Sequence, residues 1–168
     1  MTKTLYILCG PGFSGKSTLA KKIAEYKNAT LVSQDAIYFE KEKELDPSLS
    51  DGEEWELIRS IAFERIANNL KKDVSVVYDS TNTRREHRDA AREIAVENGA
   101  HAVVVFVDTP DTILVERQMK NKETKERHDV EQKYLDQARA ELEIPQSDEN
   151  VFVFKPEDNL EDWLKNLE

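Results

Sequence analysis

Apolar positions along this chain follow two alternating rhythms, short unbroken runs and stretches spaced three and four residues apart. Residues 5–9, Leu-Tyr-Ile-Leu-Cys, form an unbroken run that predicts a buried strand, and residues 16–26 follow as an amphipathic helix. Residues 29–33 predict a short second strand. Residues 35–44 predict a short helix fading into a charged link that Pro47 and Gly52 punctuate. Ser50 with Glu53, or Asp51 with Glu54, offers a capping box for a helix on which Ile58, Ile61, Ala62, Ile66 and Leu70 share one face. A third, mostly β-branched strand is expected at 74–78. Thr83-Arg84-Arg85-Glu86 reads as a second capping box, for a helix with Ala90, Ala91, Ile94 and Ala95 inward and Gly99 as its closing cap.

The apolar run 102–107 marks a strand buried on both faces. Thr109-Pro110 then places a cap residue and a proline at the first helical position, with Ile113, Leu114 and Met119 turned to the core. Residues 120–128 are charged and free of glycine. Asp129 can cap the next helix, which carries Val130, Tyr134, Leu135, Ala138 and Leu142 on one face. A last strand at 151–154 and a closing helix at 159–167, with Leu160, Trp163, Leu164 and Leu167 inward, complete the pattern. Strands separated by helices, without hairpin turns, require crossovers and a parallel sheet. The expected fold is α/β, three layers, with about five parallel strands and helices on both faces, in one domain spanning 1–168. Such sheets bind ligands at the carboxyl ends of their strands.

At that end of the first strand stands Gly10-Pro11-Gly12-Phe13-Ser14-Gly15-Lys16-Ser17, which spells G-x-x-x-x-G-K-S. This is the pattern of the phosphate-binding loops of nucleoside triphosphatases. Glycines let the backbone curl so that successive N–H groups face phosphate oxygens, and the following helix adds the positive end of its dipole. Residues Gly10 to Thr18, with Arg117, are the expected nucleotide contacts. Lys16 can reach the β- and γ-phosphates, and the Ser17 hydroxyl can ligate magnesium.

The composition, 39% hydrophobic and 35% charged, suits a soluble globular chain. No apolar stretch approaches the roughly 18–20 residues of a membrane span, and the five-residue run near the start is too short for a leader. The single cysteine, Cys9, fits a cytoplasmic setting and a place in the core. The net charge of −10 speaks against nucleic acid, but the acidity is local. From Asp129 onward there are 12 acidic and 4 basic residues, against 22 and 20 before it.

Switch GTPases, motors and small kinases compete for the loop. Asp108-Thr109-Pro110-Asp111 lacks the glycine of D-x-x-G, and Asn121-Lys122-Glu123-Thr124 ends in threonine where N-K-x-D has aspartate. Motors need more chain. A kinase needs an acceptor carboxylate, a magnesium-organising group and closing cations. Asp35 follows the second strand and can take the acceptor proton, or cap the helix it begins. Asp79 ends the third strand and can organise magnesium. Lys120, Lys122, Lys125 and Arg127, with Arg117, form a cationic lid at about 117–129 that can close over the γ-phosphate.

These residues together resemble the small phosphate-loop kinases related to the 5′-hydroxyl polynucleotide kinase domain. The likeness runs through residues 10–18, Ser33 to Tyr38, Val77 to Asn82, Arg84 to Arg88 and Val105 to Arg117. The quartet Asp79-Ser80-Thr81-Asn82 is its most specific part beyond the loop, with Arg84, Arg85 and Arg88 downstream. The resemblance implies ATP and Mg2+ as cofactors, Asp35 as general base and one of Lys120, Lys122 or Arg127 as the catalytic lid cation. It places Thr81, Asn82 and the three arginines beside the acceptor. The family's R-D-x-x-R is Gln34-Asp35-Ala36-Ile37-Tyr38 in this chain. Tyr38 cannot pair with phosphate as arginine does, although it can stack on a base. The expectation is a kinase acting on a nucleic-acid 5′-hydroxyl. The alternatives are a kinase of nucleosides, nucleotides or modified bases, and a nucleotide-binding regulatory module.

Overall fold

The computed structural model describes residues 2–167. Its elements run β1 (Thr4–Cys9), α1 (Lys16–Lys27), β2 (Thr30–Ser33), α2 (Gln34–Lys41), α3 (Asp51–Leu70), β3 (Val76–Asp79), α4 (Arg85–Glu97), β4 (His101–Val107), α5 (Asp111–Thr124), α6 (Gln132–Ala140), β5 (Val151–Phe154) and α7 (Leu160–Asn166). The strands form one parallel sheet in the order β2-β3-β1-β4-β5. The expected three-layer α/β architecture is present.

Period-two alternation divides the core between the two faces of the sheet. Leu5, Ile7 and Cys9 of β1 pack with Ile58, Ala62, Ile66 and Leu70 of α3 and with Ala91 and Ala95 of α4. The intervening Tyr6 and Leu8 pack with Leu19, Ala20 and Ile23 of α1 and with Leu164 of α7. A third cluster, Phe13, Leu114 and Leu135, lies outside the sheet and seats α6 against the loop after β1.

Ser50 and Glu53 form the expected capping box of α3, and Gly99 closes the turn after α4 in a left-handed conformation (φ 63°). Other local expectations are displaced by tertiary bonds. The Thr83 box does not form. Arg84 occupies the cap without a side-chain bond, and the Thr83 carbonyl accepts from Arg88 and from the Glu143 N–H. Thr109 does not cap α5; its hydroxyl donates to the Ser14 carbonyl at 2.8 Å, and Pro110 takes the cap. α5 continues through much of the charged segment to Thr124, so Met119 falls on its outer side, 62% exposed. Asp129 caps nothing, since α6 starts after Glu131. Tyr134 faces outward to bond Asp51.

Candidate active site

Central β1 has β3 on one side and β4 on the other, so the loop that leaves it opens between two strand ends. The backbone turns at once, through Gly10 (φ 152°), Phe13 (φ 65°) and Gly15 (φ 97°). A Cβ on Gly10 would come within 3.1 Å of both the Ser14 hydroxyl and the Val107 carbonyl, so the crowding requires glycine. The loop is held from three sides. Gly10 N–H donates to the Thr81 carbonyl at 2.9 Å. Arg117 donates to the carbonyls of Phe13 and Ser14 at 3.0 and 3.1 Å. Thr109 adds the bond that displaced its capping role.

Ser14 carries the one buried side-chain polar atom among the described residues that has no hydrogen-bond partner. A ligand oxygen lying along the loop would satisfy it. That orphaned hydroxyl, the glycine-lined curl and Lys16 at the helix start fit a polyphosphate. The buried Lys16 ammonium donates to the Pro11 carbonyl at 2.9 Å, curling over the loop. Burial pushes its pKa down, and the carboxylates of Asp79 and Asp35 pull it back up.

The register explains why those two carboxylates meet. Ser33 of β2 pairs with Asp79 of β3, so both strands end level and the first turn of α2 lands beside the Asp79 carboxyl. Burial pushes Asp79 above the usual carboxylate range, and Lys16 together with a bond from the Ser17 hydroxyl opposes the rise. Ser17 and Asp79 thus stand together as the residues that could hold magnesium. Among the described residues no cluster of three or more His, Cys, Asp or Glu could hold a metal. A two-residue donor set suits magnesium, which keeps most of its coordination for water and phosphate.

Asp35 is exposed in the first turn of α2. Ser33 caps this helix by accepting from the Ala36 N–H at 3.4 Å. The Asp35 carboxylate is therefore not spent on capping, and its charge reaches Lys16 and Asp79. Buried Gln34 anchors the turn, donating to the Tyr78 hydroxyl at 2.7 Å and accepting from Ser80 at 2.6 Å. Further along α2, Tyr38 stacks on Trp55 of α3, with ring centroids 5.2 Å apart and planes 20° apart.

On the other side of the loop, a cavity of about 570 Å³ lies between α1, α5, the segment after α5 and the β5–α7 turn. Gly15, Thr18, Arg117, Lys120, Arg127 and Pro156 are among its walls. Arg127 sits 4.3 Å above the Phe13 ring and lies within reach of Lys16 and Asp79. The buried Asn121 pins it there, accepting from the Arg127 N–H at 2.9 Å and donating to its carbonyl at 3.2 Å. Lys120 is a cavity wall, whereas Lys122 is exposed away from it.

The group expected beside the acceptor divides. The Thr81 carbonyl secures Gly10, and buried Asn82 (φ 43°) donates to the Leu8 carbonyl at 2.8 Å, so both tie β3 to β1. Arg88 is 0% exposed. It makes a two-pronged pair with Glu149 at 2.6 and 3.0 Å and donates to the Asn82 and Thr83 carbonyls at 3.0 Å. It braces the framework and has no face open to a ligand, contrary to the expectation from sequence. Arg85 is engaged with Asp148 and Asp89. Arg84 stays at the surface, paired with Glu86 at 3.1 Å. Thr109, Asn121 and Leu135 were missed as site-builders. Thr109 carried a capping signal instead, and nothing local to Asn121 or Leu135 points to the loop.

The sheet order, the loop and the paired carboxylates define a P-loop NTPase-like α/β fold of the kinase-like kind. The AAA domain family model AAA_33 matches residues 5–145, and the chain belongs to that family. No curated protein matches it. Among solved structures, a proposed kinase from Chloroflexus aurantiacus J-10-fl superposes with a TM-score of 0.78 at 17% identity, covering 98% of this chain and 96% of that one. Kti12 from Chaetomium thermophilum, in complex with ADP-AlF3, gives 0.76 at 16% identity, over 96% and 93%. A gluconokinase from Sinorhizobium meliloti 1021 gives 0.67 at 23% identity, over 98% and 89%. At these identities the likeness establishes the fold. Among the described residues no helix is long and apolar enough to cross a membrane.

Proposed function

We propose that the protein is an ATP- and magnesium-dependent kinase that phosphorylates a hydroxyl group. The observation that carries this is the Asp35 carboxylate, left out of its helix cap and set beside Lys16 and Asp79 at the mouth of the loop. The acceptor oxygen attacks the γ-phosphorus, the bond to the β,γ-bridging oxygen breaks, and ADP leaves. The acceptor proton passes to Asp35. Magnesium bound at Ser17 and Asp79 supplies charge neutralisation across the phosphates. Lys16 and Arg127 bring positive charge to the transferring group, and Asn121 holds Arg127 in position.

The disposition of the arginines supports a small acceptor over a polynucleotide. Of the three arginines expected beside the acceptor, Arg88 is buried against Glu149 and Arg85 is paired at the surface with Asp148. The Tyr38 phenol, whose pKa burial raises, is pushed up further by Glu54, Glu42 and Asp51, a setting that repels a polyanion. The solved gluconokinase and the APS kinase from Mycobacterium tuberculosis, seen with AMPPNP and APS, share this fold. A nucleic-acid 5′-hydroxyl remains a second reading, supported by the stacked Tyr38–Trp55 platform and by Arg84 at the surface.

Radiolabelled ATP offered with 5′-hydroxyl oligonucleotides, nucleosides, nucleotides and sugar acids tests both readings. Transfer to small acceptors alone is expected. In Asp35→Asn, transfer should fall about 10²- to 10⁴-fold while ATP affinity holds. Undiminished transfer in that variant would remove Asp35 from the role of base, and no acceptor-dependent turnover by the native protein would refute the kinase assignment and leave a nucleotide-binding regulatory module.

A further inference from the structure

The strap between α5 and α6 touches both banks of the cleft that leads to Asp35. α5 ends at Lys125, whose left-handed backbone (φ 52°) turns the chain back toward the nucleotide loop. Arg127 then covers the Phe13 ring at 4.3 Å. The next residue, His128, meets Phe39 of α2, with ring centroids 4.9 Å apart and planes at 72°. Consecutive Cα atoms lie only about 3.8 Å apart, so residues 127 and 128 together bridge from the loop to α2. Phe39 stands one helical turn beyond Asp35, and the two share a face of α2. The strap therefore crosses the approach to Asp35.

A second tie lies further along. Tyr134 of α6 donates to the Asp51 carboxylate in the first turn of α3, and Lys133 pairs with the same carboxylate at 3.7 Å. Leu135 meanwhile seats α6 against the nucleotide loop. The rings also join into a row. Trp55 stacks on Tyr38 at 5.2 Å, Tyr38 meets Phe39 edge-on at 5.8 Å, and Phe39 meets His128. The row runs from α3 across α2 and onto the strap. Its outer end is thinly held, since Phe39 is 47% exposed and the Lys133–Asp51 pair is solvated. Solvated ion pairs contribute little, so the strap can part from α2 and α3 without unfolding.

We infer that Phe39 and His128 form a gate that selects the acceptor by size, admitting a free small molecule to Asp35 and turning away a hydroxyl carried on a polymer. The inference rests on the kinase reading and names the residues that set its substrate class. A small acceptor leaves the row free to re-form behind it. A polymer has to run out through the space that the His128 ring and the Asp51 tie occupy, and it holds both contacts open. Arg127 is joined to His128 by one peptide bond, so a gate held open also draws that cation off Phe13 and away from the transferring group.

Two matched pairs of acceptors test this with the full chain, adenosine against adenylyl-(3′→5′)-adenosine and gluconate against maltobionate. In each pair the larger member keeps the terminal hydroxyl of the smaller. In any pair that turns over, the native kcat/KM is expected to favour the smaller member. Phe39→Ala and His128→Ala should each raise the larger-to-smaller ratio about 2- to 12-fold, the range for removing one aromatic pair. Equal changes in both members are the mark of a merely structural role and overturn the gate, as does a native protein indifferent to size.

Thiol labelling of Asp35→Cys tests the gate without turnover. Cys9 is buried and its thiol pKa is pushed up to about 11, so it does not compete. Labelling by N-ethylmaleimide and by a maleimide on a long polyethylene glycol is compared with the same two reactions at Lys122→Cys, an exposed reference. The polymer is expected to lag at position 35 and not at position 122, and adding Phe39→Ala should relieve the lag. That pattern upholds the gate even if no acceptor is phosphorylated. Equal relative rates at the two positions, or a lag that Phe39→Ala leaves unchanged, refute it even if the kinase reading stands.

Discussion

At the scale of single residues, the buried Arg88–Glu149 pair is the most consequential contact outside the site. Burial alone would raise the Glu149 carboxyl, but Arg88 and the Gln146 N–H hold it below the usual carboxylate value. A depressed carboxyl contributes stability that is fully present above its unfolded value, about 4.3, and is lost as pH falls through the folded value. Chemical denaturation should therefore show native stability declining as pH drops below about 4. Glu149→Ala should cost about 3–5 kcal/mol at neutral pH, because it strands a buried guanidinium. A loss below about 1 kcal/mol would mean that water reaches Arg88 in place of the carboxylate. Cys9, next to this pair, has its thiol pushed up to about 11 chiefly by burial and is an inert core residue.

Among the elements, the segment from α5 to α6 determines how the loop is covered. Its cations are not equivalent, since Arg127 is pinned over Phe13 and aimed at Lys16 and Asp79 while Lys122 is exposed on α5. Arg127→Ala should lower kcat about 10²- to 10³-fold, the effect of losing one donor to developing charge. Lys122→Ala should change it less than about threefold, as befits an exposed charge. Steady-state kinetics with any acceptor that the screen identifies decides between them, and a reversed order would move the catalytic role along α5. α6 enters through Leu135, whose side chain lies 2.5 Å from where a Gly12 Cβ would stand. The helix whose apolar face carries Leu135 is thus part of the loop's wall.

For the whole molecule, a ligand that binds only the folded chain must raise its stability by mass action. MgATP at about 100 times its Kd should add about 2.7 kcal/mol. For a chain of this size that is a rise of roughly 5–11 °C in Tm. Lys16→Ala should abolish most of the rise, and omitting magnesium should reduce it. Thermal unfolding monitored by circular dichroism provides the measurement. Equal rises in the native protein and Lys16→Ala would place the nucleotide elsewhere.

The alternating runs were enough to specify the α/β class, the five strands and the glycine-rich loop, because strand burial and helix amphipathicity repeat over a few residues. The position of Asp35 was legible for the same reason, being two residues past a strand end. What sequence could not show was which partner each polar side chain takes. The Arg88 and Thr109 side chains bond groups 61 and 95 residues away, and the Thr83 carbonyl accepts from the distant Glu143 N–H. Local capping is worth about 1 kcal/mol. A buried donor or acceptor left unsatisfied costs about 1–3 kcal/mol, so the distant partner prevails. The sequence by itself therefore determined the scaffold and the nucleotide loop. Only the tertiary structure decided which arginines remain available to an acceptor, because the competing carboxylates become neighbours only when the sheet closes.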